Sequence, residues 1–249
     1  MTADFSGPTL YLIPSNLAEG DPRLVLPASA VAVAATLDHF VAEHAKRARA
    51  FLKAIGHPKP LREIAIEELN EHTPADRIPA LLAPLNAGVS CGLLAEAGCP
   101  AVADPGAPLV LLAHQAGVKV QPLVGPSAII LALMASGLQG QRFAFHGYLS
   151  ATKGGREQQI SALEIESRRR DETQIFIETP YRNLQLFESL MACCEPETLL
   201  CIASDLTGPG ERVTTRAVVD WRRGTSPAIG RLPAVFLLYV RGGSTHRRG

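Results

Sequence analysis

The sequence predicts an α/β fold built as two domains. In the first half, apolar strand-like runs alternate with helix-like runs, a pattern typical of a parallel sheet with helical crossovers. The second half is richer in strands, which favours a mixed or antiparallel sheet. A chain of 249 residues is long enough for two modest domains. We therefore expect an N-terminal domain at residues 1–122 and a C-terminal domain at residues 123–249.

The N-terminal half is expected to hold five strands and at least four helices. The predicted strands cover 9–13, 39–43, 63–67, 89–94 and 118–120. The predicted helices cover most of 24–37, then 46–55 and 109–116, with one more that begins near residue 74. Gly56 and Pro58 terminate the second helix, and Pro108 lies in the first turn of the helix at 109–116. Thr73 is expected to cap the remaining helix, with Pro74 at its first position.

The C-terminal half begins with a turn-rich joint at 122–127. Its predicted strands cover 142–146, 174–178, 199–204, 213–216 and 234–240. Its predicted helices cover 128–136, 154–170 and 183–193. Gly137 is expected to end the first of these helices. Three arginines end the second helix, where cations complement the helix dipole. The basic residues at 245–249 are expected to form a disordered tail.

The segment AEAGCPAVADPGA at 95–107 is the centre of the predicted fold. It follows a buried strand and precedes a helix, at the strand edge where open α/β sheets bind ligands. Gly98 and Gly106 can adopt positive φ and let backbone approach a ligand closely, while two prolines stiffen the turn. Glu96 and Asp104 are its only charged residues, which favours a ligand with hydroxyl or amine groups over a phosphate. A simple strand-ending turn remains the alternative.

Composition excludes several classes of protein. Lysine and arginine balance aspartate and glutamate at 24 each, so any nucleic-acid contact must come from a local patch. Five cysteines without a C-x-x-C pair argue against a disulfide framework and a zinc site. No signal-peptide pattern and no bilayer-spanning apolar run are present. We therefore expect a soluble cytoplasmic protein. The first strand lacks a following G-x-G-x-x-G, so a dinucleotide fingerprint is absent.

Two clusters of polar residues lie where a substrate could bind. Glu68, Asn70, Glu71 and His72 follow the third predicted strand, although they could also simply solvate its turn. The helix at 46–55 bears a row of cations, for which a solvated face is favoured over an RNA patch. These cations are Lys46, Arg47, Arg49 and Lys53.

Motifs along almost the whole chain resemble one family. They are TLYLIPSNL (9–17), FVAEHAKRARAFLKAIG (40–56), LNEHT (69–73), AEAGCPAVADPGA (95–107), PLVGPSAIILALMASG (122–137), RFAFHGYLS (142–150) and IFIETPYRN (175–183). The series resembles the S-adenosylmethionine-dependent tetrapyrrole methylases. Within that superfamily it is similar to the branch that methylates a ribose 2′-hydroxyl of small-subunit ribosomal RNA, of which this chain is a divergent member.

The resemblance implies a two-domain tetrapyrrole-methylase-like fold with a cofactor cleft between the domains, in a homodimer. It implies S-adenosylmethionine as the cofactor, ribosomal RNA or the small subunit as the partner, and neither metal nor membrane. Its cofactor contacts are mostly backbone contacts of small residues, and Asp104 or Glu96 would face the amine or the ribose. By position, the implied contacts are Pro14, Ser15, Glu96, Gly98, Pro100, Val102, Ala103, Asp104, Ser127, Ala128, Pro180, Tyr181, Ala203, Ser204, Pro233 and Ala234.

The substrate side departs from the ribosomal pattern more than the cofactor side. The sulfonium is already activated, so in-line positioning provides most of the acceleration, but a ribose hydroxyl still gains from a proton acceptor. The candidates are Glu71, Glu68 and His72. In this branch the corresponding segment resembles S-Y-H-E-H-N-E. Residues 65–71 of this chain read AIEELNE instead and lack both histidines.

Two alternatives remain open beside RNA methylation. A methylase of a tetrapyrrole or other small molecule would have an enclosed pocket with little basic surface. A non-catalytic module would bind S-adenosylmethionine and turn over no substrate. RNA methylation instead predicts a basic rim, with Lys46, Arg47, Arg49 or Arg182 as contributors.

Overall fold

The computed structural model describes residues 7–241. They divide into two units, and the boundary lies between Ser127 and Ala128. Each unit is built on one five-stranded sheet. None of the helices within residues 7–241 is long and apolar enough to cross a membrane. The basic tail expected at 245–249 falls outside the described residues.

The N-terminal unit contains a fully parallel sheet, which confirms the prediction. Its strands are β1 (Thr9–Ile13), β2 (His39–Ala42), β3 (Ala65–Glu68), β4 (Cys91–Leu94) and β5 (Lys119–Pro122). They lie in the order β3-β2-β4-β1-β5, and every pairing is parallel. All five carboxyl ends therefore reach one edge of the sheet, where the loops after β1, β2 and β4 lie side by side.

Helical segments cover both faces of this sheet. They are α1 (Ala28–Ala34), α2 (Ala45–Ala54), α3 (Ala83–Asn86) and α4 (Ala107–Gln115), with 3-10 turns at Pro22–Leu24, Leu61–Glu63 and Ala75–Leu82. On one face, Phe51 and Leu52 of α2 pack against Phe40 of β2. On the other, Leu109 of α4 packs against Leu10 of β1.

Prolines shorten two of the expected helices. The helix expected over 24–37 is confined to α1, because Pro27 removes a backbone donor and disfavours helical geometry in the residue before it. The helix expected after Thr73 is a 3-10 segment with Pro79 inside it. Its N-cap is Pro74, so the cap predicted at Thr73 is wrong. The Thr73 hydroxyl instead accepts a hydrogen bond from the backbone N–H of Asn70 at 3.0 Å.

The C-terminal unit contains a mixed sheet, again as predicted. Its strands are β6 (Phe143–Tyr148), β7 (Thr173–Glu178), β8 (Leu199–Ser204), β9 (Arg212–Ala217) and β10 (Ala234–Tyr239). They lie in the order β6-β7-β10-β8-β9, with β6 parallel to β7 and the other pairings antiparallel. Because β9 is an edge strand, its side chains line the margin of the sheet.

Within residues 128–241, four α-helices and a 3-10 turn at Pro180–Arg182 complete the C-terminal unit. The α-helices are α5 (Ala128–Ser136), α6 (Lys153–Arg170), α7 (Asn183–Cys193) and α8 (Val218–Arg223). Phe176 and Phe236, fully buried and stacked with ring centroids 6.0 Å apart, form the middle of the core. The ring of Trp221 in α8 meets Phe187 edge-on. Where α6 ends, Asp171 accepts a hydrogen bond from the Tyr239 hydroxyl at 2.5 Å.

Candidate active site

Two loops at the carboxyl edge of the parallel sheet are joined by backbone hydrogen bonds. The N–H of Ser15, after β1, donates to the carbonyl of Gly98 at 2.9 Å. The N–H of Gly98, after β4, donates back to the carbonyl of Ser15 at 3.3 Å. This short antiparallel bridge fixes the first loop against the central loop. Two segments that are 83 positions apart in sequence thus form one surface.

The central loop adopts positive φ at one of the two glycines named from the sequence and at two alanines. Gly98 has φ +74°, as predicted, but Gly106 has φ −73°. The other left-handed positions are Ala101 and Ala103, at φ 63° and 55°. Gly106 serves close packing instead, because a Cβ there would lie 2.7 Å from Cδ2 of Leu93. Alanines held in the left-handed region are strained, and such strain is common where a loop is shaped for a ligand.

Asp104 stabilises this strained loop from within. Its Oδ1 accepts hydrogen bonds from the N–H of Ala101 at 3.1 Å and of Gly106 at 2.8 Å. The neighbouring Val102 is 48% exposed, although it is apolar. The loop therefore presents an apolar tip and backbone groups outward, while the Oδ1 atom of its own aspartate faces inward.

Gly125 allows the segment after β5 to pack directly on the first loop. A Cβ at this position would lie 2.3 Å from Cβ and 2.6 Å from Cγ of Pro14. Nearby, the Sγ of Cys99 lies 3.5 Å from the carbonyl of Pro126. Three loops of the N-terminal unit therefore support one another, and only glycine fits at position 125.

The hydroxyl of Ser15 is a buried side-chain group of this surface that lacks a partner among the described residues. The residue is 3% exposed, and its Oγ finds no hydrogen-bond partner among residues 7–241. A buried hydroxyl without a partner costs free energy, about 1–3 kcal/mol. Such a group fits a site that a polar ligand completes.

Beside the bridged loops lies a cleft of about 550 Å³ with a charged wall. Glu43 and His44 follow β2, Glu96 follows β4, and Arg47 lies on the first turn of α2. His44 Nδ1 lies 3.2 Å from Glu96 Oε2, and Arg47 forms an ion pair with the other oxygen of Glu96. Ligand atoms of Glu43, His44 and Glu96 all lie within 4.8 Å of one another, close enough to hold a metal ion. Of the two carboxylates in this group, that of Glu96 already has Arg47 as an ion-pair partner.

Glu43 is the group in this wall best suited to accept a proton. Its partial burial raises the pKa of its carboxyl, and the adjacent negative charge of Glu96, with which it shares a hydrogen bond, raises that pKa further. Asp104 adds a smaller effect in the same direction, and His44 a smaller one in the opposite direction. A carboxyl with a raised pKa is a stronger base when ionised. Glu43 and His44 are absent from the sequence-based candidates, although both directly follow a parallel strand.

The predicted catalytic residues lie at the same edge, next to β3. Oε1 of Glu68 accepts a hydrogen bond from the N–H of Ala45 at 2.8 Å and so caps α2. Glu71 and His72 form a 3.5 Å pair on the surface, with side chains 83% and 85% exposed. Glu68 and His72 line a shallow second cleft of about 540 Å³. The structure thus brings the three candidates to one strand end, in open surroundings.

In the C-terminal unit, the predicted site residues gather at the ends of three strands. Ala234 begins β10 and pairs with Ser204, the last residue of β8, and with Glu178, the last residue of β7. Pro233 accepts a hydrogen bond through its carbonyl from Asp205 at 3.0 Å. Of the other predicted residues, Ala203 is buried within β8, and Pro180 and Tyr181 lie in the 3-10 turn after β7.

Arg182 is less available for a basic rim than expected. Its Nη2 lies 2.6 Å from Oε1 of Glu178, and its side chain is only 20% exposed. Glu178 is fully buried, and its Oε2 has no partner among the described residues. By contrast, Lys46, Arg47 and Arg49 are exposed along α2. Only these three contributors to the predicted rim face solvent.

Comparisons with known proteins agree on the family. Residues 19–219 match the family described as Tetrapyrrole (Corrin/Porphyrin) Methylases. The chain is 33% identical over 215 residues to the ribosomal RNA small subunit methyltransferase I of Escherichia coli O157:H7. The aligned segment covers 85% of this chain and 70% of that protein. It is 31% identical over 237 residues to the protein of the same name from Xylella fastidiosa, covering 94% and 81%.

A solved structure supports the fold. The crystal structure of the methyltransferase CobJ matches with a TM-score of 0.61 over 95% of this chain and 97% of that one, at 18% identity. The chain therefore shares its fold with that structure. The chain belongs to the tetrapyrrole methylase family, in the branch of the ribosomal RNA small subunit methyltransferases I, and is a methyltransferase that uses a methyl donor.

Proposed function

We propose that the protein transfers a methyl group from S-adenosylmethionine to a ribose 2′-hydroxyl of small-subunit ribosomal RNA. The observation that favours an oxygen nucleophile is the Glu43–Glu96 carboxyl pair in the wall of the cleft. A ribose hydroxyl must lose a proton as it is methylated, whereas a carbon-methylating tetrapyrrole enzyme needs such a base less. The relatives from E. coli and X. fastidiosa, named for the small-subunit RNA, favour the same substrate.

The central loop and its neighbours suit the cofactor. The unpartnered Ser15 hydroxyl, the bridged backbone of Gly98 and the exposed tip at Val102 offer polar backbone and apolar contacts at one edge. Bound S-adenosylmethionine supplies a methyl group already activated on its sulfonium sulfur. In the N-terminal unit the proposed contacts are Pro14, Ser15, Glu96, Gly98, Pro100, Val102, Ala103, Asp104 and Ser127. Those proposed in the C-terminal unit are Ala128, Pro180, Tyr181, Ala203, Ser204, Pro233 and Ala234.

Within this proposal, Glu43 is the proton acceptor. Ionised Glu43 takes the hydroxyl proton, and the hydrogen bond to Glu96 then holds that proton between the two carboxyls. Arg47 forms an ion pair with Glu96. The other candidates, Glu68 and the exposed Glu71–His72 pair, are engaged elsewhere: Glu68 caps α2, and the pair faces solvent.

The test is transfer of labelled methyl groups from S-adenosylmethionine into small ribosomal subunits that lack the modification. We expect transfer by the wild-type protein and a loss of roughly 10²–10⁴-fold in kcat for Glu43→Gln, the range typical of a lost general base. Glu63→Gln removes an exposed glutamate outside the cleft and serves as the matched control. Glu68→Gln, Glu71→Gln and His72→Gln complete the series.

Two results would overturn the proposal. Transfer into a tetrapyrrole but not into RNA would assign the protein to the small-molecule methylases. Binding of S-adenosylhomocysteine in a calorimeter, without turnover of any substrate, would assign it to the non-catalytic modules. The resemblance also implies a homodimer, which we retain in the proposal. Sedimentation equilibrium tests it, because a dimer gives twice the mass of one chain.

A further inference from the structure

A second pocket lies in the C-terminal unit, at the edge strand of the mixed sheet. It has a volume of about 180 Å³ and lies between β8, β9, α8 and the segment that follows α8. Its floor is apolar and buried, formed by Ile202, Trp221 and Ile229. Its remaining lining is dominated by hydroxyl groups and guanidinium groups, from Ser204, Arg212, Thr214, Arg216, Thr225 and Ser226.

Strand periodicity explains why two arginines reach the same pocket. Arg212, Thr214 and Arg216 are alternate residues of β9, so they share one face of the sheet. Their partners across the sheet, Ser204 for Arg212 and Ile202 for Thr214, belong to the same lining. The intervening Thr215 faces the other way and donates its hydroxyl hydrogen bond to the carbonyl of Ser136 in α5. The pocket is thus a direct consequence of the strand pattern.

Both guanidinium groups retain unused hydrogen-bonding capacity. Arg212 and Arg216 are exposed, and neither forms an ion pair with a carboxylate of residues 7–241. Two acids nearby in sequence are engaged elsewhere: Glu211 accepts from the N–H of Thr207, and Asp205 accepts from the N–H of Gly210. A pair of arginines without acidic partners, flanked by hydroxyls, supplies the positive charge and the hydrogen-bond donors that bind a phosphate group.

The floor of the pocket argues against a stacked base. The guanidinium of Arg216 lies over the Trp221 ring, 5.0 Å from its centroid. The indole N–H donates to the carbonyl of Leu200 at 3.0 Å, and the residue is 5% exposed. Because Arg216 already covers the ring, Trp221 holds that arginine in place and offers no free platform to a nucleobase.

We propose that this pocket binds a backbone phosphate of the RNA substrate, through Arg212 and Arg216 and the hydroxyls of Thr214, Thr225 and Ser226. The inference rests on the proposed function, which supplies a polyanionic substrate. Phosphate contacts provide much of the affinity for a nucleic acid without reading its sequence. The pocket would therefore strengthen binding of the ribosomal RNA without selecting the nucleotide that is methylated.

Trp221 provides a local probe for this proposal, because it is the only tryptophan of the chain. Its fluorescence is followed while a short single-stranded oligoribonucleotide is titrated at several salt concentrations. We expect binding to change the emission in the wild-type protein. Arg212→Gln should weaken the affinity for the oligoribonucleotide. It should also make the salt slope, which is the slope of log affinity against log salt concentration, less steep by roughly 0.7, the value for one lost phosphate contact on a single strand. Arg212→Lys, which keeps the charge, should restore most of that slope.

The matched control removes two arginines that share one carboxylate partner far from the pocket in sequence. Arg169 and Arg170 lie at the end of α6 and pair with Glu166 at 2.6 and 2.8 Å. We compare Arg169→Gln/Arg170→Gln with Arg212→Gln/Arg216→Gln, which changes the net charge equally. The pocket variant should lose at least tenfold in affinity, and the control should bind like wild type. Equal affinity and equal salt slope in the two double variants would overturn the proposal.

Methyl transfer into small ribosomal subunits separates this inference from the proposed function. If the wild-type protein methylates the subunits, the pocket variant should show a raised KM with kcat and affinity for S-adenosylhomocysteine unchanged. An unchanged KM would refute the pocket and leave the function intact. If no methyl group enters RNA, the proposed function fails, while the Trp221 titration still decides whether the pocket binds RNA.

Discussion

Replacing Gly125 by alanine tests whether the three packed loops shape the active site. The new Cβ would lie 2.3 Å from Cβ of Pro14, whereas carbon atoms in contact need about 3.5 Å. The ring of Pro14 cannot rotate away, so one backbone segment must move by about 1 Å. Overpacking of this kind costs about 1–3 kcal/mol of stability. A 1 Å misplacement near reacting groups also costs on the order of 10²-fold in activity.

We expect the Gly125→Ala substitution to lower both the stability and the activity of the protein. Urea denaturation gives the free energy of unfolding, calorimetry gives the affinity for S-adenosylhomocysteine, and labelled methyl transfer gives kcat/KM. Gly140→Ala is the matched control, because nothing lies within 4 Å of a Cβ at that position and its φ is not left-handed. A Gly125→Ala protein with the stability, affinity and activity of Gly140→Ala would refute the reasoning about the loops.

Three further predictions concern charged and titrating groups. Because burial and the Glu96 charge raise the pKa of Glu43, kcat/KM should rise with pH through that pKa. Glu96→Gln removes the neighbouring charge and should move this rise to lower pH. A rise at the same pH in Glu96→Gln would count against Glu43 as the base. Glu178→Gln leaves the charge of Arg182 without its buried partner and should lower the free energy of unfolding by about 3 kcal/mol in urea titrations. Burial, then the hydrogen bond to its aspartate partner, raises the pKa of Tyr239 from 10.0 to about 12. The stability lost in Tyr239→Phe should therefore be greatest below pH 10 and should vanish as the pH rises through about 12; a pH-independent difference would contradict this.

The strand pattern accounts for most of what sequence reasoning achieved. Buried parallel strands such as β4 are short apolar runs bounded by turn residues, and their positions and parallel pairing were predictable. The loops after such strands must meet at one edge, so the importance of Ser15 and Gly98 was predictable as well. Their mutual backbone bridge was not, because it depends on the order of strands in the sheet.

Packing decided the features that the sequence left open. Gly106 is required by the side chain of Leu93 and not by its own φ, and a sequence contains no sign of which reason applies. Glu43 gained its importance from Glu96, a residue 53 positions away that only the sheet brings near. Arg182, expected to contribute to a basic rim, is paired with the buried Glu178. Each of these depends on a neighbour distant in sequence or on side-chain geometry.

The central claim is that the methyl group goes to a ribose oxygen of small-subunit RNA. The most direct measurement is mass spectrometry of nucleosides from small ribosomal subunits, after incubation with the protein and S-adenosylmethionine. We expect one nucleoside with the added methyl group on its ribose, formed by wild type and Glu63→Gln and lost with Glu43→Gln. A methyl group on a base, or equal modification by Glu43→Gln, would contradict it.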